Sequence, residues 1–139
     1  DISSLILNNS LISLKRIEIG KKCFKKVSRF VIDGLNELES LDIGNDCFEK
    51  ANRFVINGFN ELDGVIIGSD SFCLHEKHRY ESKCLIMNCN QLNEINIEEN
   101  SFKYYESLEL KNLPSLISIQ LDYGAFSNCQ WIVFESMND

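Results

Sequence analysis

"LKRIEIGKKCFKKVSRFVIDGLNE", residues 14–37, is followed directly by "LESLDIGNDCFEKANRFVINGFNE", residues 38–61. The second line is the first with small edits, and each is 24 residues long. Working outward, anchor leucines stand at Leu14, Leu38, Leu62, Leu92 and Leu116, with spacings of 24, 24, 30 and 24. Three residues after each anchor come Ile17, Leu41, Val65, Ile95 and Ile119, and two further on Ile19, Ile43, Ile67, Ile97 and Leu121. Five further again, without exception, stand Phe24, Phe48, Phe72, Phe102 and Phe126. The frame LxxLxIxxxxF therefore occurs five times. A fixed period of this length marks a repeat architecture.

A second frame precedes each anchor. Phe30-x-Ile32, Phe54-x-Ile56, Cys84-x-Ile86 and Leu108-x-Leu110 each begin eight residues before the next anchor leucine. The pair recurs as Ile132-x-Phe134 near the end and, offset by one residue, as Leu5-x-Leu7 near the start. Gly34, Gly58, Asn88 or Asn112 follows, and the tolerance of Gly and Asn for positive φ predicts a tight turn there. Period-two alternation in both frames predicts two short strands per repeat. One repeat of this size cannot bury its own apolar face, whereas stacked repeats can. The chain is therefore expected to be mainly β: a single solenoid domain over residues 1–139, of about five repeats, with short parallel strands and little helix.

With these residues in place, the chain resembles a leucine-rich-repeat protein. "LESLDIGNDCF" fits the pattern LxxLxLxxNxL, with Leu38, Leu41, Ile43 and Phe48 at its apolar positions, and "LELKNLPSLISIQL" is similarly close. The IGxxCF element is similar to the IGxxAF of BspA-like bacterial and protist variants. The family's asparagine position holds Lys22, Asp46, Asp70, Asn100 and Gly124 here. The chain opens and closes on the second frame without the usual caps, which reads as a slice of a longer array or a solenoid capped by a partner. The resemblance implies a leucine-rich-repeat solenoid that serves recognition rather than catalysis.

Composition narrows the function classes. A net charge of −7 with 44% apolar residues suits a folded domain and sets it against nucleic acid and anionic membranes, which call for a basic face. No apolar run approaches the length of a membrane span. Six cysteines raise the question of disulfides or a metal. The register answers it for most of them. Cys23 and Cys47 share a small-residue column with Ser71, Ser101 and Ala125; Cys84, Cys89 and Cys129 fall in columns that other repeats fill with apolar or small residues. Thiols used as core filler point to a reducing, cytoplasmic setting. The Asn8-Asn9-Ser10 sequon would suit a secreted form, against that cysteine usage.

One gap of 30 breaks the period, and its extra residues lie at 73–83, "CLHEKHRYESK". Both histidines, His75 and His78, are here beside Cys73. Insertions of this kind form loops on one face of a solenoid, often the binding face. Cys73-x-His75-x-x-His78 has zinc-ligand chemistry, but its spacing matches no standard finger; no metal or other cofactor is assigned. The loop reads either as a partner contact or as a solvated excursion.

Strand alternation aims the remaining residues outward. Beside the second frame run a mostly basic row (Arg29, Arg53, Lys83, Ser107, Trp131) and an apolar one (Val31, Val55, Leu85, Glu109, Val133). The first frame presents Arg16, Glu18, Asp42, Ile66, Glu94, Asn96 and Gln120, the face that such solenoids commonly use. No nucleophile elbow, zinc-protease helix or phosphate loop occurs in the sequence, so no catalytic residue is assigned. The expected function is a non-catalytic protein-binding module whose partner is another protein, engaged through these strand faces and the 73–83 loop. The alternative is a structural or scaffolding subunit or spacer within a larger assembly, with self-association through its uncapped ends.

Overall fold

A computed structural model describes residues 3–11 and 13–137. Eleven strands follow in order: β1 (Ser4–Leu7), β2 (Arg16–Ile19), β3 (Arg29–Asp33), β4 (Ser40–Ile43), β5 (Arg53–Phe59), β6 (Gly64–Ile67), β7 (Lys83–Cys89), β8 (Glu94–Ile97), β9 (Ser107–Leu113), β10 (Ser118–Leu121) and β11 (Trp131–Met137). The odd-numbered strands form one six-stranded sheet and the even-numbered strands a five-stranded one, each in sequence order. Every pairing is parallel and in register with the repeat, Phe30 opposite Phe54 and Leu41 opposite Val65. The chain is thus a parallel β-solenoid of about six turns with two strands per turn, as the alternating frames predict. The five expected repeats supply the five-stranded sheet, and the end frames add a sixth strand to the other. The offset first frame is brought into register, Leu5 opposite Phe30. Its extra residue is taken up by the 3-10 turn at Asn9–Leu11.

Strand alternation fills one continuous core. Phe30, Ile32, Phe54 and Ile56 from one sheet and Ile43, Leu62 and Ile67 from the other side are fully buried. The phenylalanine column forms its spine. Successive rings from Phe24 to Phe126 lie 5.3, 4.8, 4.8 and 4.8 Å apart, and from Phe48 onward they are within 8° of coplanar. Phe54 meets this stack edge-on at 5.1 Å from Phe72.

The backbone beneath the rings is unexpected. Phe24, Phe48, Phe72, Phe102 and Phe126 all have positive φ, between 52° and 56°. For a bulky residue that conformation costs about 1–2 kcal/mol. Burying the ring contributes about 1.5–3 kcal/mol, and each aromatic pair about 0.5–1.5 more, so the packing wins. Two residues earlier, Lys22, Asp46, Asp70, Asn100 and Gly124 are left-handed as well. That column is degenerate in side chain but uniform in conformation. The predicted turn column behaves as expected: Gly34, Gly58, Asn88 and Asn112 all have positive φ.

The small-residue column is a hydrogen-bond ladder. Ser71 Oγ accepts from the Cys47 N–H at 3.1 Å and donates to the Gly44 carbonyl at 2.8 Å. Ser101 Oγ accepts from the Ser71 N–H at 2.9 Å, and the Cys47 thiol donates to the Gly20 carbonyl at 3.0 Å. A side chain here that can both accept and donate pairs an amide and a carbonyl at once, so neither is left buried and unpaired.

Two predictions follow from this packing. Phe72→Ala removes a fully buried ring from mid-stack and should cost about 3–5 kcal/mol in denaturant unfolding, the usual range for such a truncation. Gly20 and Gly68 share a column, yet a Cβ at Gly20 meets nothing within 4 Å while one at Gly68 meets the Gly44 backbone carbon at 2.7 Å. Gly68→Ala should therefore lower the melting temperature, and Gly20→Ala should leave it nearly unchanged.

Candidate functional site

The sequence-derived candidates are gathered on three surfaces. On the five-stranded sheet, Arg16, Glu18, Asp42, Ile66, Glu94, Asn96 and Gln120 all occupy outward strand positions, exposed or half-buried. Arg16 and Glu18 form an ion pair along β2, and Glu18 lies beside Asp42 on β4 in register. Ile66 is 40% exposed and borders a shallow groove of about 280 Å³ with Asn96 and Gln120. This face is acidic and varies from turn to turn.

On the six-stranded sheet, Val31, Val55 and Leu85 form a half-buried stripe, as the alternation of β3, β5 and β7 requires. Arg29, Arg53 and Lys83 flank it, opposite one another across three adjacent strands. Parallel neighbours sit about 4.8 Å apart, so this register stacks three like charges. Lys83 is relieved by Glu109, whose carboxylate also takes Lys111, each at 3.2 Å. Partial burial works against ionisation of Glu109, but hydrogen bonds and charge from Lys83 and Lys111 outweigh it and hold its pKa below the ordinary value of 4.5. Glu109 thus enters the apolar row as a neutralised member. Among the described residues no acidic side chain pairs with Arg29 or Arg53. Arg53 spends one N–H on the neighbouring Asn52 carbonyl at 3.3 Å. Between the two arginines opens a groove of about 410 Å³, lined by Arg29, Val31, Asn52, Arg53 and Val55.

The inserted segment is anchored at both ends and exposed in the middle. Leu74 is buried in the core and Ser82 is buried just before β7, its Oγ accepting from the Glu106 N–H at 2.8 Å. Between them Glu76–His78 makes one 3-10 turn with His75 and His78 exposed. The segment walls a groove of about 590 Å³ with Ser28, Glu49, Lys50, Asn52, Leu74, His75, Lys77 and His78. Asn52 lines this groove and the arginine groove alike, so the inserted segment adjoins the basic margin of the six-stranded sheet. Among the described residues, no group of three or more His, Cys, Asp or Glu side chains is gathered as a metal site. No helix among them is long and apolar enough to cross a membrane.

Two features were not visible as single columns. A side-chain ladder crosses the C-terminal ends of β3, β5, β7 and β9: Asn57 donates to Asp33, Asn88 to Asn57 and Asn112 to Asn88, at 3.3, 2.9 and 2.9 Å. It crosses between adjacent columns, which is why no fixed spacing reveals it. The second feature is Tyr105, fully buried edge-on to Phe102, whose hydroxyl donates to the Ala51 carbonyl at 2.6 Å. Burial raises its pKa well above the usual phenol value.

All six cysteines are free. Burial pushes the Cys89 thiol up to about 11 and that of Cys84 well above the usual thiol value. Neither is a thiolate nucleophile at neutral pH. No family model matches the chain, and no curated protein or solved structure is detectably similar to it.

The Glu109 cluster fixes a pH response. A lowered folded pKa adds stability above the unfolded carboxylate pKa, and that stability is lost as pH falls through the folded value. Melting temperatures measured across the acid range should fall less steeply for Glu109→Gln than for the wild type. Titration with a thiol reagent in native buffer should leave Cys47, Cys84 and Cys89 unmodified until denaturant is added, because all three are buried.

Proposed function

We propose that the chain is a non-catalytic protein-binding module of the leucine-rich-repeat type. The observation that carries this reading is the outer face of the six-stranded sheet. Val31, Val55 and Leu85 leave a half-buried apolar stripe between polar margins, with open grooves beside it. Apolar surface with a polar rim is the composition that protein interfaces use. The five-stranded face and the His75/His78 segment are its further contact surfaces, and the cysteines packed in core columns support a reducing, cytoplasmic setting.

A second reading, a scaffolding subunit or spacer that self-associates through its ends, is favoured by one specific observation. Ile132 and Phe134 on β11 are 57% and 55% exposed, whereas Phe54 and Ile56 in the same columns are fully buried. Among the described residues, no strand of the five-stranded sheet lies opposite β11. On this reading the protein should show concentration-dependent mass in sedimentation, abolished by Ile132→Gln with Phe134→Gln.

Short peptides selected from a random displayed library on the whole chain separate the two. A binding module should yield peptides whose affinity falls at least about tenfold, about 1.4 kcal/mol, on Val31→Lys or Glu18→Lys while the melting temperature holds. A spacer should yield none, or peptides indifferent to both substitutions.

A further inference from the structure

The arginine pair is a feature of the outer surface that works against the fold. Arg29 and Arg53 lie opposite one another in a parallel pairing, with Lys83 next in line. Like charges directly opposite across strands are destabilising. In a chain of net charge −7, acidic partners are plentiful in the sequence. Among the described residues three cations meet a carboxylate: Arg16 through Glu18, and Lys83 and Lys111 through Glu109. Among the described residues Arg29 and Arg53 have none. Their guanidinium groups flank a groove whose walls hold two valines and one asparagine but no carboxylate. The groove thus presents two cations beside an apolar floor, with no carboxylate of its own to meet them.

We propose that this groove binds a short acidic peptide segment, its carboxylates taken by Arg29 and Arg53 and its apolar side chains laid on Val31 and Val55. This rests on the protein-binding reading above and names the partner's chemistry. Arginine suits the role because its planar fork takes a carboxylate bidentately. Two further observations select a short acidic peptide over a long polyanion. The apolar stripe runs directly beside the arginines, so the ligand must bring apolar side chains as well as charge. The basic row is also bounded. Toward the later turns the adjoining groove adds Glu81 and Glu106 beside Arg53 and Lys83, and Glu109 already engages Lys83, so the run of uncompensated cations ends there. The arginine groove also shares Asn52 with the groove walled by the inserted segment, where Lys50 and Lys77 outnumber Glu49. The segment that interrupts the repeat therefore extends the same basic margin.

The test uses peptides selected from a random displayed library on the whole chain, then synthesised, labelled and titrated by fluorescence anisotropy. Expected are sequences enriched in Asp and Glu next to apolar residues. Their affinity should fall at least about tenfold for the doubly substituted Arg29→Gln/Arg53→Gln protein and weaken as salt is raised, since the contacts are charge-assisted and screened by ions. Replacing Glu by Lys in the peptide should abolish binding. Melting temperature supplies the structural control: removing two like charges should leave it unchanged or raise it. A drop as large as that of a core substitution would make the arginines structural and overturn the proposal. Peptides that depend on Val31 yet lack acidic residues and ignore the arginine substitutions would overturn the acidic partner and leave the binding module standing. No selected peptide at all would remove both. Tighter arginine-dependent binding of heparin or RNA, or arginine-dependent dimerisation of the chain itself, would overturn the peptide in favour of that occupant.

Discussion

The stack of phenylalanine rings at Phe24, Phe48, Phe72, Phe102 and Phe126 is the constraint on which the rest of this structure depends. Each ring reaches the core only because its backbone turns into the left-handed region, a conformation that bulky residues avoid. The strain persists because the neighbouring turns over-determine it. The ring above and the ring below lie at stacking distance, and the amide of each phenylalanine from Phe48 onward donates to a carbonyl of the preceding turn. A turn in isolation would have no reason to adopt it. This is the cooperative logic of a solenoid expressed at one residue: the cost is local, and the gain comes from the neighbour.

Once the rings hold the turns in register, every other column follows. The small slot before each phenylalanine lies against the preceding turn, where Ser71 and Ser101 link amides to carbonyls across three turns. The glycines of the IG element come so close to the turn before that Gly68 has no room for a Cβ. Outward residues become straight rows at strand spacing. A row with alternating chemistry stabilises the sheet, as Glu109 does between Lys83 and Lys111. A row of one charge does not, and Arg29 opposite Arg53 is such a row. The same in-register stacking that builds the core thus makes any repeated surface residue reinforce or oppose itself. Rows kept against that penalty are where a partner is to be sought.

Much of the candidate surface was legible before folding was considered, because period-two alternation fixes which residues face out. The basic row and the apolar row were read as columns, and the structure places Arg29, Arg53, Val31 and Val55 around one groove. Which cation is free was not legible. Lys83 and Arg53 occupy the same column, but Glu109 lies within reach of Lys83 two strands away from Arg53, a matter of side-chain reach rather than spacing. Nor could the insertion be placed. Leu74 and Ser82 turn inward at its two ends, and only then does the exposed stretch fall beside Asn52 and the arginine groove.

The sequence by itself determined the solenoid, its two strands per turn and the membership of each column, because a repeat writes its contacts as fixed spacings. It also determined the Gly34, Gly58, Asn88 and Asn112 turns, since those residue types announce positive φ. The tertiary structure alone decided the left-handed phenylalanines, the side-chain ladder through Asp33, Asn57, Asn88 and Asn112, and the unpaired arginines. In each case the deciding energy comes from groups a turn or more away, stacking rings, a neighbouring amide or a carboxylate claimed by another lysine. No residue's own propensity records what its neighbour across the sheet will do.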